Sequence, residues 1–179
     1  MKVASRLRRI TVSRTLNVLL ETRELQAKGV DVVDLGPGEP DFSVPTSVRE
    51  AAIRAIEKNR TCYTAVAGLS ELRQAIADRY SHIYGTRLDT ANVIITCGAK
   101  QAVFNACMAV FDTGDRVLVP SPYWGTFPEA VKLAGAQPLI VDSRYSHGFI
   151  PLLEDIESKL DRSVRGLILN TPNNPTGAV

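Results

Sequence analysis

The sequence predicts an α/β fold in which helices cover a mostly parallel sheet. Two observations predict it. Strand-like and helix-like segments alternate from Asn92 onward, and the strand-like segments are apolar on both faces. Strands read that way when helices bury both sides of a sheet. Loops rich in Gly, Pro, Asn and Ser follow the strand ends, and that edge is where open α/β sheets bind ligands.

The elements follow in order. Residues 13 to 28 read as a helix with Leu16, Leu19, Leu20 and Leu25 on its apolar face and Gly29 as its stop. Val30 to Leu35 reads as a short strand. The run from Gly36 to Phe42 holds too much Gly and Pro to be anything but loop. A helix starts near Thr46 or Ser47, with Glu50 at capping-box distance from Ser47. A polar loop crosses Asn59 to Gly68, and Ser70 is expected to cap a helix that Gly85 ends. Asn92 to Thr96 is a β-branched run read as a strand. Gly98 to Phe111 is apolar nearly all round, so that helix should be buried. Arg116 to Val119, Gln137 to Val141 and Arg165 to Asn170 read as strands, with helices over Pro122 to Leu133 and Pro151 to Leu160.

Composition narrows the function classes. Apolar residues make up 45% and charged residues 22%, with a formal net charge of +2. No aromatic-basic stripe points to nucleic acid, and no apolar run approaches a membrane span. Lys2, Arg6, Arg8, Arg9 and Arg14 precede any acid. A transit peptide has that bias, but a surface arm leading into a helix accounts for it more simply. No secretory signal follows, so the cytoplasm is the default. Cys62, Cys97 and Cys107 form no C-x-x-C, and the histidines are His82 and His147. A zinc site is not expected, and the cysteines read as reduced, mostly buried residues.

Three loops carry the chemistry. At Cys97-Gly98-Ala99-Lys100-Gln101 a strand ends, glycine turns and a helix begins. The first N–H groups of a helix lack intrahelical partners and favour an anion such as phosphate. Equally, glycine is common in a plain strand-to-helix turn. Ser121-Pro122-Tyr123-Trp124 holds the chain's one tryptophan. Its ring either stacks on a flat ligand or packs the next helix. Asn173-Asn174-Pro175-Thr176-Gly177 is either an ordinary turn or a site where an asparagine amide donates to a ligand oxygen. All three at the carboxyl ends of successive strands favour the ligand readings together.

These loops, with Gly38-Glu39-Pro40-Asp41-Phe42, Tyr63, Gly68 and Glu71-Leu72-Arg73, occur in one order. In that order they resemble the class I pyridoxal-phosphate-dependent aminotransferases of the aspartate-aminotransferase type, in the subgroup common in bacteria. The resemblance runs from about Ser5 to the last residue. It implies a three-layer large domain of the fold-type-I kind, incomplete over 45–179, preceded by an arm and part of a smaller domain over 1–44. It implies transfer of an α-amino group between an amino acid and a 2-oxo acid through pyridoxal 5'-phosphate, a role in amino acid metabolism, and a homodimer as the active unit.

The roles it implies are specific. Gly98, Ala99 and Lys100 would offer backbone N–H groups to the cofactor phosphate. Trp124 would stack on the pyridine ring and face the substrate. Asn174 would hydrogen-bond the ring's 3-oxygen and help hold the substrate carboxylate, to which Gly38 would offer its N–H. Tyr63 would reach the phosphate bound in the neighbouring subunit. Cys62 and Val66 depart from the lysine and proline common there. In the family the Schiff-base lysine, the aspartate paired with the pyridine nitrogen and the substrate-binding arginine all follow the Asn-Pro-Thr-Gly loop. The chain therefore reads as the N-terminal part of its parent, inactive alone. Ser158-Lys159 imitates the lysine motif but precedes that loop, in a charged helix. A lyase on the same fold, and a non-enzymatic remnant that binds or dimerises, share these loops and stay open.

Overall fold

The structure, a computed structural model, describes residues 2–11, 14–36 and 38–179. The expected helix start at residue 13 and Pro37 of the Gly-Pro loop lie outside them. The chain divides into two compact units, residues 1–13 with 97–179, and residues 14–96.

The first unit is built on a parallel sheet of three strands, β1 (Arg116–Ser121), β2 (Gln137–Asp142) and β3 (Val164–Leu167), in the order β2-β1-β3. β1 pairs with β2 over its whole length, Arg116 opposite Gln137 through Ser121 opposite Asp142. It pairs with β3 more briefly, ending at Leu118 opposite Leu167. As the central strand it is the best buried, with Val117, Leu118 and Val119 at 0–1% exposure. The helices are α4 (Gly98–Val110), α5 (Thr126–Leu133) and α6 (Leu153–Glu157). Cys107, Val117, Ala130, Val131 and Ala136 form the core where α4, α5 and the sheet meet. Gly166 lets β3 lie against the Phe111 ring, because a Cβ there would stand 2.8 Å from Cε1. The N-terminal arm joins this unit through the Thr11 N–H, which donates to Glu129 at 2.8 Å.

The second unit holds α1 (Arg14–Ala27), α2 (Thr46–Glu57) and α3 (Ser70–Tyr84). Thr22, Ala77 and Val93 are its buried residues among those described. Arg73 ties α3 to the segment that follows it. Its Nε donates to the Val93 carbonyl at 2.8 Å, and its other arm donates to the Thr90 carbonyl. The Ile95 N–H donates to the Ala67 carbonyl at 2.9 Å, and Gly68, at φ +100°, fits against the Ile95 side chain.

Several expectations change. Val30–Leu35 and Asn92–Thr96 form no strand; Asn92 instead ends a 3-10 turn that starts at Thr90, and Val93 leaves it in extended backbone. In the second segment the Val93 carbonyl accepts from Arg73 and the Ile95 N–H donates to the Ala67 carbonyl, where a strand would pair with a neighbour. Ser47 and Ser70 make no cap bonds. Each lies inside the first turn, and the preceding Pro45 and Leu69 occupy the cap positions. α5 starts at Thr126 rather than Pro122: residues 122–124 are not helical, and the chain enters the helix through a turn over 124–127 closed by the Phe127 N–H on the Trp124 carbonyl. α4 is not buried all round. Cys107 is, but Phe104, Met108 and Val110 are 41–58% exposed, because only one flank of the helix meets α5 and the sheet. Cys62 and Cys97 are exposed; Cys107 is buried, and burial pushes its thiol up from its ordinary pKa.

Candidate functional site

The carboxyl ends of β1 and β3 and the start of α4 lie in the same unit, and they gather the sequence-selected loops. α4 opens at Gly98 with φ +79°, a backbone shape that disfavours any side chain, and open space surrounds the missing Cβ. Cys97 at the cap position gives no side-chain bond to the helix. Ala99 and Lys100 follow in the first turn, where N–H groups have no intrahelical acceptor. The Cys97 N–H is taken by the Gln101 carboxamide oxygen at 2.6 Å, which folds the turn back on the helix.

Trp124 is half-buried just past β1. One edge meets Phe127, with ring centroids 5.5 Å apart and planes near perpendicular. The Lys100 Nζ lies over the indole, 5.6 Å from its centroid. That cation–π contact joins the start of α4 to the tryptophan loop.

The loop after β3 reaches the same place. Asn173 Nδ2 donates to the Pro122 carbonyl at 3.2 Å, and the Asn174 N–H donates to the Asn170 side-chain oxygen at 2.8 Å. The Asn174 side chain is exposed. Thus the start of α4, with Gly98, Ala99 and Lys100, meets Trp124 through the Lys100 amine, and the loop that carries Asn174 is tied to the Trp124 loop through Asn173. Gly38 and Tyr63 belong to the other unit, where both are exposed, Tyr63 fully.

An apolar cavity of about 370 Å³ adjoins these loops on the flank of β3, lined by Tyr123, Phe127, Ile168, Asn170 and Asn173 among others. Trp124 and Lys100 do not line it, so it is a hollow beneath the loops and not the place between the three chemical groups. Sequence reasoning missed Asn173, Asn170 and the role of Arg73. The doubled asparagine was the available signal, but turn propensity masked it. Among the described residues, no group of His, Cys, Asp or Glu could hold a metal ion, and no helix is long and apolar enough to cross a membrane.

This arrangement suits a flat anionic ligand. Helix-start N–H groups and an amine attract a phosphate, an indole offers a stacking surface, and an asparagine supplies both a donor and an acceptor.

Residues 30–179 match the model of a family described as aminotransferase class I and II. The chain is 41% identical over 177 residues to a probable aspartate/prephenate aminotransferase of Aquifex aeolicus, covering 99% of this chain and 45% of that protein. Its fold matches an aspartate aminotransferase from Thermus thermophilus with maleate at a TM-score of 0.94 and 38% identity, over 98% of this chain and 46% of that one. An alanine aminotransferase from Pyrococcus furiosus matches at 0.93 and 30% identity, over 99% and 46%. The chain spans less than half the length of these relatives.

Proposed function

This chain belongs to the aminotransferase class I and II family, and from that premise we propose that it is the N-terminal part of a pyridoxal-phosphate-dependent aminotransferase. The observation that carries the reading is the Lys100–Trp124 contact, which puts a helix start and a stacking surface side by side.

When bound, pyridoxal phosphate supplies an electron sink for the α-carbon of an amino acid. The chain's own residues hold and orient it. Gly98, Ala99 and Lys100 would offer backbone N–H groups to the phosphate. The Lys100 amine, 5.6 Å from the indole centroid, would add positive charge beside that phosphate, and Trp124 would offer the stacking surface for the ring. Asn174 would donate to the 3-oxygen of the ring and help hold the substrate carboxylate, and Gly38 would offer its N–H to the substrate. Tyr63 would reach the phosphate held by a second copy, and the proposed working form is a homodimer in the cytoplasm. Residues 1–44 belong to the arm and small domain, and 45–179 to the cofactor-binding domain. No lysine in this chain takes the role of linking the cofactor. The substrates are an amino acid and a 2-oxo acid. Relatives named for aspartate and for alanine share this region, so it does not choose the side chain.

The test is amino-group transfer by the protein as translated to its natural stop codon, supplied with pyridoxal phosphate. Formation of a new amino acid from the 2-oxo acid supports the reading, and Trp124→Ala or Asn174→Ala should lower the rate by about tenfold or more. Elimination or decarboxylation without transfer would assign a lyase instead, and no turnover at all would leave a binding module.

A further inference from the structure

Asn173 uses every polar group it has. Its N–H donates to the Ala178 carbonyl and its carbonyl accepts from the Gly177 N–H, both at 2.8 Å. Its Oδ1 accepts from the Thr176 N–H at 3.1 Å and from the Thr176 hydroxyl at 2.9 Å. Those bonds close the loop on itself. The remaining bond leaves the loop. Nδ2 donates to the Pro122 carbonyl, 51 residues away and two before Trp124.

That bond lies past the end of the sheet. The β1–β3 ladder stops with the Ile168 N–H on the Leu118 carbonyl. Beyond it, Trp124 is fixed from its own side, by the Phe127 ring and by the turn bond its carbonyl accepts. Asn174 is fixed from the other side, by Asn170. Neither anchor sets the distance between the two. A hydrogen bond from a half-buried amide to a carbonyl on the facing loop does, and the loop's internal bonds hold that amide's orientation.

We propose that Asn173 is a positioning residue whose bond to the Pro122 carbonyl sets the spacing between Trp124 and Asn174, and with it the fit of a stacked aromatic ligand. The proposal rests on the cofactor reading above. The Asn173 side chain touches neither cofactor nor substrate and acts through its two neighbours.

The chain's single tryptophan makes the test direct. Pyridoxamine 5'-phosphate lacks the aldehyde and cannot link to a lysine, so its quenching of Trp124 emission reads non-covalent stacking. Asn173→Asp keeps the acceptor for Thr176 and removes the donor. Asn173→His, in its neutral form, can place an Nδ1–H as many bonds from Cα as Nδ2 and loses the acceptor. The proposal expects N173D to bind about tenfold more weakly, with a smaller quench at saturation. It expects N173H to keep the wild-type quench amplitude. Lost stability alone lowers the folded fraction, followed by near-UV circular dichroism, and leaves the amplitude per folded molecule unchanged. N173D matching wild type, or N173H losing as much as N173D, would overturn the proposal. Should N173D not fold, N173H decides alone: a retained amplitude supports the proposal and a lost one overturns it. A wild-type chain whose emission ignores the ligand removes the cofactor reading itself and this proposal with it. A quenched wild type with indifferent variants removes only the positioning role.

Discussion

The two units bury their apolar residues very differently. In the unit built on the sheet, β1 is sealed by its neighbours, and Val117, Leu118, Val119, Val131 and Val141 are at 0–1% exposure. In residues 14–96 the large apolar side chains mostly face outward. Val33 and Leu35 are 81% and 91% exposed, Phe42 is 85% exposed, and Tyr63 and Val66 are fully so. The difference teaches where each unit's order comes from. The first shields its own core, so the loops on its strand ends have a rigid platform. The second relies on local ties such as Arg73 and leaves apolar surface that needs a cover. The proposed second subunit at Tyr63 is such a cover.

Substitutions can break that comparison. Leu118→Ala should cost about 2–5 kcal/mol, because a buried strand cannot close the cavity. Leu35→Ala should stay within about 0.5 kcal/mol. Urea unfolding followed by circular dichroism measures both, and equal costs would erase the contrast.

A weaker effect marks the limits of the first unit. Leu167 and Leu169 are 43% and 62% exposed beside the one-sided β3, and Phe104, Met108 and Val110 line the bare flank of α4. Each large side chain left in water forgoes about 1.5–3 kcal/mol, a large part of a stability of about 5–15 kcal/mol. The chain should therefore melt at low temperature and associate. Sedimentation velocity should show species above monomer, and Met108→Glu with Leu169→Lys should reduce them. A monodisperse wild-type monomer with a sharp, ordinary transition would refute this.

Glycines sharpen the contrast further. Gly68→Ala puts a methyl 2.5 Å from the Ile95 Cγ1 at φ +100°, so overpacking of about 1–3 kcal/mol adds to backbone strain. Gly98→Ala meets open space and incurs only the left-handed strain, about 1–2 kcal/mol. Thermal melts should rank Gly68→Ala as the more damaging.

The smallest effect concerns acid. The Ser163 hydroxyl and N–H, then Arg116, hold the Asp161 carboxyl below its ordinary pKa. A depressed carboxylate adds stability above its unfolded value, and that stability is lost as pH falls through the folded value. Asp161→Asn removes that contribution, so urea unfolding followed across pH should show slightly lower stability at neutral pH, no change in strong acid, and hence a flatter acid limb.

Much of this was legible in the residues. Apolar runs placed β1 and β2 within a residue or two, and glycine marked the ends of α1 and α3. The loops at Gly98, Trp124 and Asn174 could be read because strand ends in an α/β sheet converge. Partners could not be read. A β-branched run such as Asn92–Thr96 looks like a strand whether or not a neighbour accepts its bonds, and an all-apolar α4 looks buried whether or not anything covers it. Ser47 and Ser70 failed as caps because the start of a helix shifts by one residue without changing its pattern. Asn173 stayed hidden because its decisive bond spans 51 residues.

The most direct measurement saturates the chain with pyridoxal phosphate, follows Trp124 emission, and then reduces with borohydride and maps the labelled peptides. The account predicts saturable quenching and no stoichiometric label on any one of Lys2, Lys28, Lys58, Lys100, Lys132 or Lys159. Lys100 is the critical position, since its amine lies 5.6 Å from the indole centroid and yet is assigned no covalent role. Emission indifferent to the cofactor, or a full equivalent of label fixed on Lys100 alone, would contradict it.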